Sequence, residues 1–586
     1  MASLFSRLAP LVRSPLAWVV LAAGIVRIIG VWWGLPASDG WDNDGVAPRD
    51  FLAGLVETFT PGHFYTYPPV HLLLLAILTA PVTIVGLVKA KSLAPPDVVA
   101  EIVKVPYMTA NAYIARLTSV AMSLGLLVLV ARIAAELQAG PDGDPKAPAA
   151  KRAGVCAAAV AAVNLSLTYY AHTTNLDVPY LFWAAFSLLY FVRAMLRHEP
   201  RLFRRAFALA VLSVATKDQA YGLFVLAYPA AFALWVLFDP WARTRRGEIV
   251  RAAAIAAGLA LLLFLLADGV VFNPWGFRAR LAFLAGSASK DFVTYTDDWT
   301  GRARMFADVL RGSDRYYPKL LGALLVVGLV IEAARRLRGD AKTSVPFFVP
   351  LLAAISFTVT FDFAALRDDH RFYMPQAVIL AIYGGLAFER FVFAERKSTR
   401  IAAQAVLAVP FAIAAFGCLA VDAQLLGDPR YDAEAWLDAH VNEGDLVEVY
   451  GHNVYLPRFP ERAKVQRVDV RPLDHRNPLP NVTEIQAPFG AAAERHPRFI
   501  VVPEGWAWRY LIDPNAELDK GRVFAPTQKE ASADRDAHEY FFRLTRSMDE
   551  YGIARVSKYE SKIFPQLDIH ASTSREVWIY ERKPGR

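Results

Sequence analysis

Four polar stretches hold the residue types that could do chemistry. The first carries Asp39, Asp42 and Asp44 and runs to His63-Phe-Tyr-Thr-Tyr67-Pro68-Pro69. Grouped carboxylates can accept the proton of an attacking hydroxyl or hold a divalent cation. A solvated acidic loop with an Asp-Gly turn has the same composition. The second is Tyr169-Tyr170-Ala-His172-Thr-Thr-Asn-Leu-Asp177-Val-Pro179, a polar cluster between two apolar runs. Polar side chains at membrane depth suit function, and Asp177 also stands where it could cap the helix opening at Val178-Pro179. The third is Ala215-Thr216-Lys217-Asp218-Gln219. A lysine between short apolar segments must pair, with Asp218 for example, or snorkel, or meet a phosphate. The fourth is Arg367-Asp368-Asp369-His370-Arg371-Phe372-Tyr373-Met-Pro375. There Arg371 offers a bidentate fork to a phosphate, although Arg and Tyr also anchor helices at interfaces.

The elements that must position these residues are set by composition. The 586 residues are 55% hydrophobic and 20% charged, with a mean hydropathy of +0.29. The apolar residues fall in blocks long enough to cross a bilayer core of about 30 Å as helices. Candidate spans are 17–35, 69–88, 108–136, 153–171, 178–196, 206–217, 220–238, 250–272, 317–337, 345–361, 372–393 and 401–421. The first follows Arg7 and Arg13 without an evident cleavage site and reads as an uncleaved span with a cytoplasmic N-terminus. Clusters at Arg197, Arg201, Arg204 and Arg205, at Arg243, Arg245 and Arg246, at Arg335, Arg336 and Arg338, and at Arg396, Lys397 and Arg400 mark cytoplasmic ends. They place 172–177, 217–220, 273–316, 362–371 and everything after about 422 on the outer side. With 36–68 also outside, the spans up to Asp177 have the wrong parity. One block between 69 and 171 must then be re-entrant or interfacial, or two must merge; Pro81 and the modest length of 153–171 single out those two blocks.

After Val421 the composition changes. Segment 432–442 has helical spacing of Ala433, Trp436, Leu437 and Val441 before Gly444, while Leu446–Tyr450 and Phe499–Val502 are β-type runs. The expected organisation is a transmembrane part over 1–421, with outer loops 36–68 and 273–316, and an extracytoplasmic α/β domain over 422–586. A loop as long as 273–316 is usually functional or mobile. Trp506, Trp508 and Tyr510 could stack on sugar or serve as core or belt residues. Cys156 and Cys418 both fall in apolar blocks, which argues against a disulfide framework or a Cys-based metal site. His63, His172 and His370 lack metal-ligand spacing. No Walker loop, helix-opening GxGxxG or HExxH occurs, and the +8 net charge lies largely in short loops, where topology rather than nucleic acid explains it.

In order, the motifs resemble those of the GT-C superfamily of membrane glycosyltransferases, most closely glycosyltransferase family 39, the group of protein O-mannosyltransferases and aminoarabinose transferases. The stretches that carry the resemblance are Asp42-Asn43-Asp44-Gly45, Tyr67-Pro68-Pro69, Tyr113-Ile-Ala-Arg116, Leu176-Asp177-Val-Pro179, Thr216-Lys217 and Arg371-Phe-Tyr373-Met-Pro375, spread over about 15–395. One departure stands out: the family usually has Asp-Glu in the first loop, whereas Asp44 is followed by Gly45. Either Asp42 or Asp44 is then the key carboxylate, with Asp44 preferred.

The resemblance implies an α-helical polytopic membrane protein of GT-C type, with about 11–13 transmembrane helices and a C-terminal soluble α/β domain. It also implies an inverting enzyme that moves a sugar from a polyprenyl-phosphate donor to an acceptor hydroxyl on a lipid, glycan or protein at the outer face. Asp44 or Asp42 would be the base and a candidate ligand for a divalent cation, Mg or Mn. Lys217, Arg371 and Arg116 would hold the donor phosphate, Asp177 would orient Lys217 or the acceptor, and His172 and Tyr67 would orient substrate. Alanine richness and the lack of an ER retention signal point to a bacterial inner (plasma) membrane. The rival readings are a lipid-linked sugar flippase, which would show inverted repeats and broken helices at mid-membrane, and a non-catalytic membrane scaffold. No repeat is evident, and the polar motifs group toward one face.

Overall fold

The structure is a computed structural model. It describes residues 14–584 apart from 38–39, 43, 142, 339–344, 472–481, 571–572 and 574–575. Arg7, Arg13 and Asp39 therefore lie outside the described residues.

The chain is a multi-pass, mostly helical membrane protein that ends in a small sheet domain. All twelve apolar blocks are largely helical. Among the described residues, seven helices are long and apolar enough to cross a membrane unaided: Pro69–Lys89, Val105–Ala139, Asp177–Leu196, Asp218–Phe238, Arg246–Ala267, Val345–Ala365 and Lys397–His440. The 153–171 block is broken: Pro148–Ala162 and Leu165–Ala171 meet at 70°. The break is made by Asn164, whose side chain caps the second piece by accepting from Leu167 N–H at 2.8 Å. Pro81, the other candidate for an interruption, sits inside a continuous helix. Many helices open on a proline at the first turn, among them those starting at Pro15, Pro69, Pro148, Pro274 and Pro429. Proline has no N–H to leave unpaired there.

The helices pack through small residues. Ala150, Ala153, Ala157, Ala158 and Ala161 are all buried on the Pro148–Ala162 helix. A Cβ on Gly154 would sit 2.7 Å from the Ala131 carbonyl oxygen, so only glycine lets these two backbones approach. Some of the arginines read as topology markers also have structural partners. Arg197 pairs with buried Glu136 at 2.7 Å, and Arg335 with buried Glu332 at 3.3 Å.

The expected loop 273–316 is largely helical, with helices Pro274–Ala285 and Trp299–Arg311. The second is tied to the C-terminal part through Asp308, which pairs with Arg522 at 2.8 Å. Backbone hydrogen bonds Thr296 N–H to Gly521 O (3.0 Å) and Val523 N–H to Thr294 O (2.9 Å) extend the join.

Beyond the Pro429–His440 helix lies a six-stranded sheet: β1 Leu446–Val449, β2 Lys464–Asp469, β3 Val482–Gln486, β4 Phe499–Pro503, β5 Tyr551–Ser557 and β6 Val577–Arg582. The strand order is β3-β2-β1-β4-β6-β5, with β3, β2, β1 and β4 mutually parallel, and β6 antiparallel to both of its neighbours, β4 and β5. β4 is buried throughout, as expected of a strand covered on both faces. Trp506 and Tyr510 belong to the core of this domain, packed with Tyr450, Phe489 and Phe541, while Trp508 is exposed. Burial accounts for the first two, which leaves them no face for a sugar.

Candidate functional site

The site begins where two loops are laced together. Thr174 N–H donates to Asp42 Oδ2 at 3.1 Å, Asn175 Nδ2 donates to the Asp44 carbonyl at 3.2 Å, and Val46 N–H donates to Thr174 O at 3.4 Å. The first acidic loop thus lies along the turn that leads into the Asp177 helix. This lacing explains the glycine after Asp44. A Cβ at Gly45 would overlap Thr174 Oγ1 and Asp42 Oδ2 and lie 2.8 Å from Asp42 Cγ. A glutamate there would push the loops apart.

Two cation–carboxylate pairs form the centre. Arg371 Nη1 lies 2.8 Å from Asp44 Oδ1, and Lys217 Nζ lies 2.7 Å from Asp177 Oδ2. Lys217 is within electrostatic reach of Arg371 and Asp44, so the pairs make one cluster. Gln219 Nε2 donates to Asp177 Oδ1 at 3.0 Å, and Arg371 Nε lies 3.4 Å from Asp369 Oδ2. Lys217 arrives because the helix Phe203–Val214 ends early and Lys217 is extended before a 3-10 turn at Asp218–Leu223. Val70 N–H donates to Ala215 O at 3.0 Å and sets the Tyr67-Pro68-Pro69 stretch beside that turn. Arg371 arrives through a π-turn at Thr358–Asp362, Leu366 in the left-handed conformation, and a new helix opening at Met374-Pro375. Such irregular backbone concentrates at functional sites.

Charge is distributed unevenly over the loop carboxylates. Burial pushes the Asp44 carboxyl up, but Arg371 and His570 outweigh it and hold it far below the usual range. Burial, reinforced by Asp44, pushes Asp42 up. Tyr67 is driven to about 12, first by burial and then by Asp44, so it remains a neutral phenol at the edge of the cluster. Asp44 therefore carries fixed negative charge, while Asp42 is the loop carboxyl biased toward its proton.

Not every expected residue joins this cluster. Asp42 faces the Thr174 backbone and serves the lacing. Arg116 is buried, and its Nη1 donates to the carbonyls of Val31 (2.8 Å) and Trp33 (2.6 Å). The structure thus gives Arg116 the loop backbone as a partner, where a donor phosphate was expected. His172 is also buried among backbone, with Nδ1 2.8 Å from Thr168 O and Nε2 2.7 Å from Ile29 O, and burial lowers it to about 4. It braces helices outside the cluster. Asp177 does not cap its helix: the cap position is Leu176, and the carboxylate points to Lys217 and Gln219. Nor does Lys217 pair with Asp218, which instead lies 3.1 Å from Arg280.

Asp44 and Asp42 are the carboxylates expected to ligate a divalent cation. The two Asp44 oxygens already face Arg371 and His570, and no group of three ligand-type side chains suited to a metal occurs among the described residues. The positive charge beside Asp44 comes from side chains.

His570 is the residue that sequence reasoning missed. Its Nε2 lies 3.1 Å from Asp44 Oδ2, across a separation of 526 residues. Its ring stacks on Tyr169 at 5.1 Å and 19° and meets Tyr170 edge-on. Nothing local in Leu567-Asp-Ile-His570 marks it, since the signal is entirely tertiary. Asp369 and Gln219 stood inside the quoted motifs, but no role was read for them.

No family model matches the chain, and no curated protein matches it. Among solved structures the chain is similar to ArnT from Cupriavidus metallidurans in the apo state. That likeness has 14% identity and a TM-score of 0.47 and covers 96% of this chain and 97% of that one. ArnT bound to undecaprenyl phosphate gives 14% identity and a TM-score of 0.43, covering 96% and 98% of the two chains. The archaeal oligosaccharyltransferase AglB from Archaeoglobus fulgidus, in complex with an inhibitory peptide and a dolichol-phosphate, gives 13% identity and a TM-score of 0.42, covering 96% and 88%.

Proposed function

We propose that the chain is an inverting glycosyltransferase that moves a sugar from a polyprenyl-phosphate donor to an acceptor hydroxyl on the outer face of the membrane. The observation that carries this reading is the joint cluster of Arg371–Asp44 and Lys217–Asp177, built where several helices end or break. A lipid phosphate presented from the bilayer meets two cations there. A carboxylate is already beside them for the acceptor.

In this reading the acceptor oxygen attacks the anomeric carbon, the bond to the phosphate oxygen breaks, and its electron pair leaves with the lipid phosphate. Lys217 and Arg371 offset the charge that grows on that leaving group. Asp44 takes the acceptor proton. In the resting site Arg371 and His570 make Asp44 a weak base. A donor phosphate competing for Arg371 relaxes that hold, so donor binding raises the basicity of Asp44. Asp177 keeps Lys217 pointed into the site.

The test uses membranes containing the full chain and radiolabelled polyprenyl-phosphate sugar. Wild type should release lipid phosphate and move label to an acceptor. Asp44→Asn should slow transfer by about 10²–10⁴-fold, and Asp42→Asn by far less. Transfer surviving in both variants removes the proposed base. Movement of intact lipid-linked sugar across vesicles without transfer makes the protein a transporter.

A further inference from the structure

We infer that His570, delivered by residues Leu567–His570 between β5 and β6, is a positioning residue for Asp44 and completes the site; the inference rests on the glycosyltransferase reading above. The segment is a strap laid from the sheet domain onto the helical part. Gln424 holds it by accepting from Leu567 N–H at 3.0 Å and donating to Leu567 O at 3.1 Å and Thr573 O at 3.2 Å. Arg315 pairs with Asp568 at 2.7 Å, and the His370 ring meets the Ile569 carbonyl. Tyr316 in turn donates to His370 O at 2.7 Å. The anchors thus come from both sides of His570 and from three separate parts of the helical region. They bring one imidazole, nearly buried, against the Asp44 carboxylate.

The geometry shows what this imidazole does. Asp44 approaches Arg371 most closely through Oδ1, while Oδ2 lies against His570 on the other side. A carboxylate with one free oxygen beside a guanidinium tends to turn and pair through both oxygens. That turn would fold Asp44 onto Arg371 and away from an incoming hydroxyl. The His570 contact blocks it, and the Tyr169 stack fixes the ring that makes the contact. Asp44 is then clamped from three directions: its backbone by Asn175 and its two oxygens by Arg371 and His570. Lys217, one of the two cations proposed to meet the donor phosphate, is held by Asp177 at 2.7 Å rather than by His570.

The experiment compares wild type, His570→Ala and His570→Gln in full-length protein, with initial rates over a donor titration and melting midpoints in detergent. Glutamine keeps an N–H donor near the place of Nε2. His570→Ala should lower kcat about 10- to 100-fold, leave donor KM within about threefold and keep its melting midpoint. His570→Gln should recover most of kcat. Wild-type kcat in His570→Ala overturns the inference. So does a loss shared equally by both variants with a lowered melting midpoint, since that marks a merely structural contact. Absence of transfer in wild type overturns the glycosyltransferase reading itself, a result visible before either variant is measured.

Discussion

Lys217 and Asp177 allow structural and chemical roles to be separated in one cycle. Asp177 is fully buried, and Lys217 keeps about a fifth of its side-chain surface, 2.7 Å away. Removing one member of a buried pair leaves the other uncompensated and destabilises by about 3–5 kcal/mol. Water reaches Lys217, so the lower end applies, about 3 kcal/mol for Lys217→Met. Asp177→Leu should behave similarly, because it strands the lysine. The double variant replaces the pair by apolar side chains, and a buried pair so replaced is often close to neutral. A loss near 1 kcal/mol against singles of 3 puts the double variant well short of additivity, as expected for side chains in contact. Melting in detergent should therefore place the double variant above both singles. Transfer should not follow stability. Without Lys217 the leaving phosphate loses one cation, a loss of about 10²–10³ in kcat, and removing Asp177 does not restore it. If the double variant melts no higher than Lys217→Met, the pair is not the buried contact described. If it transfers at the wild-type rate, Lys217 serves only to neutralise Asp177.

Gly45→Ala should destabilise by about 1–3 kcal/mol through overpacking against Thr174 and Asp42. It should also cut transfer at temperatures where the protein remains folded; unchanged melting and rate would show that the laced loops tolerate a side chain. The depressed Asp44 carboxyl also has a pH signature. Its folded value lies below the unfolded one, so its stabilisation is full above about pH 4 and lost as pH falls below that. Melting midpoints of wild type should drop more steeply than those of Asp44→Asn as pH falls from roughly 4 to 2, and parallel curves would remove the Arg371–Asp44 pair as a source of stability.

The helical blocks were legible because apolar length is a strong signal. The break at Asn164 was half legible: parity demanded an irregular block, and the structure puts a 70° bend at Asn164, with its local cap on Leu167, while the helix through Pro81 is continuous. Asp44, Asp177, Lys217 and Arg371 were found from residue type and position relative to apolar runs. Asp177 as a residue orienting Lys217 was implied by the resemblance, and Lys217 does pass over adjacent Asp218 for it, whereas the Arg371–Asp44 pairing was not legible. Arg116 and His172 were legible as buried polar residues, but sequence cannot tell a phosphate from a carbonyl as partner. Long-range closure explains the complete omission of His570. Its meaning resides in a contact with a residue 526 positions away.

That separation sets an order of events during synthesis. Asp44 emerges early, and its partner His570 is added 526 residues later. At about 5–20 residues per second, this is an interval of roughly half a minute to two minutes. Throughout it the acidic loop must wait beside the membrane with one or both oxygens unmatched. A nascent chain that has inserted every helix but not yet docked its strap would hold two cations and a loosely held base. The late-made segment then acts as a completion mark, and a chain stalled before Leu567 would lack both that clamp and β6.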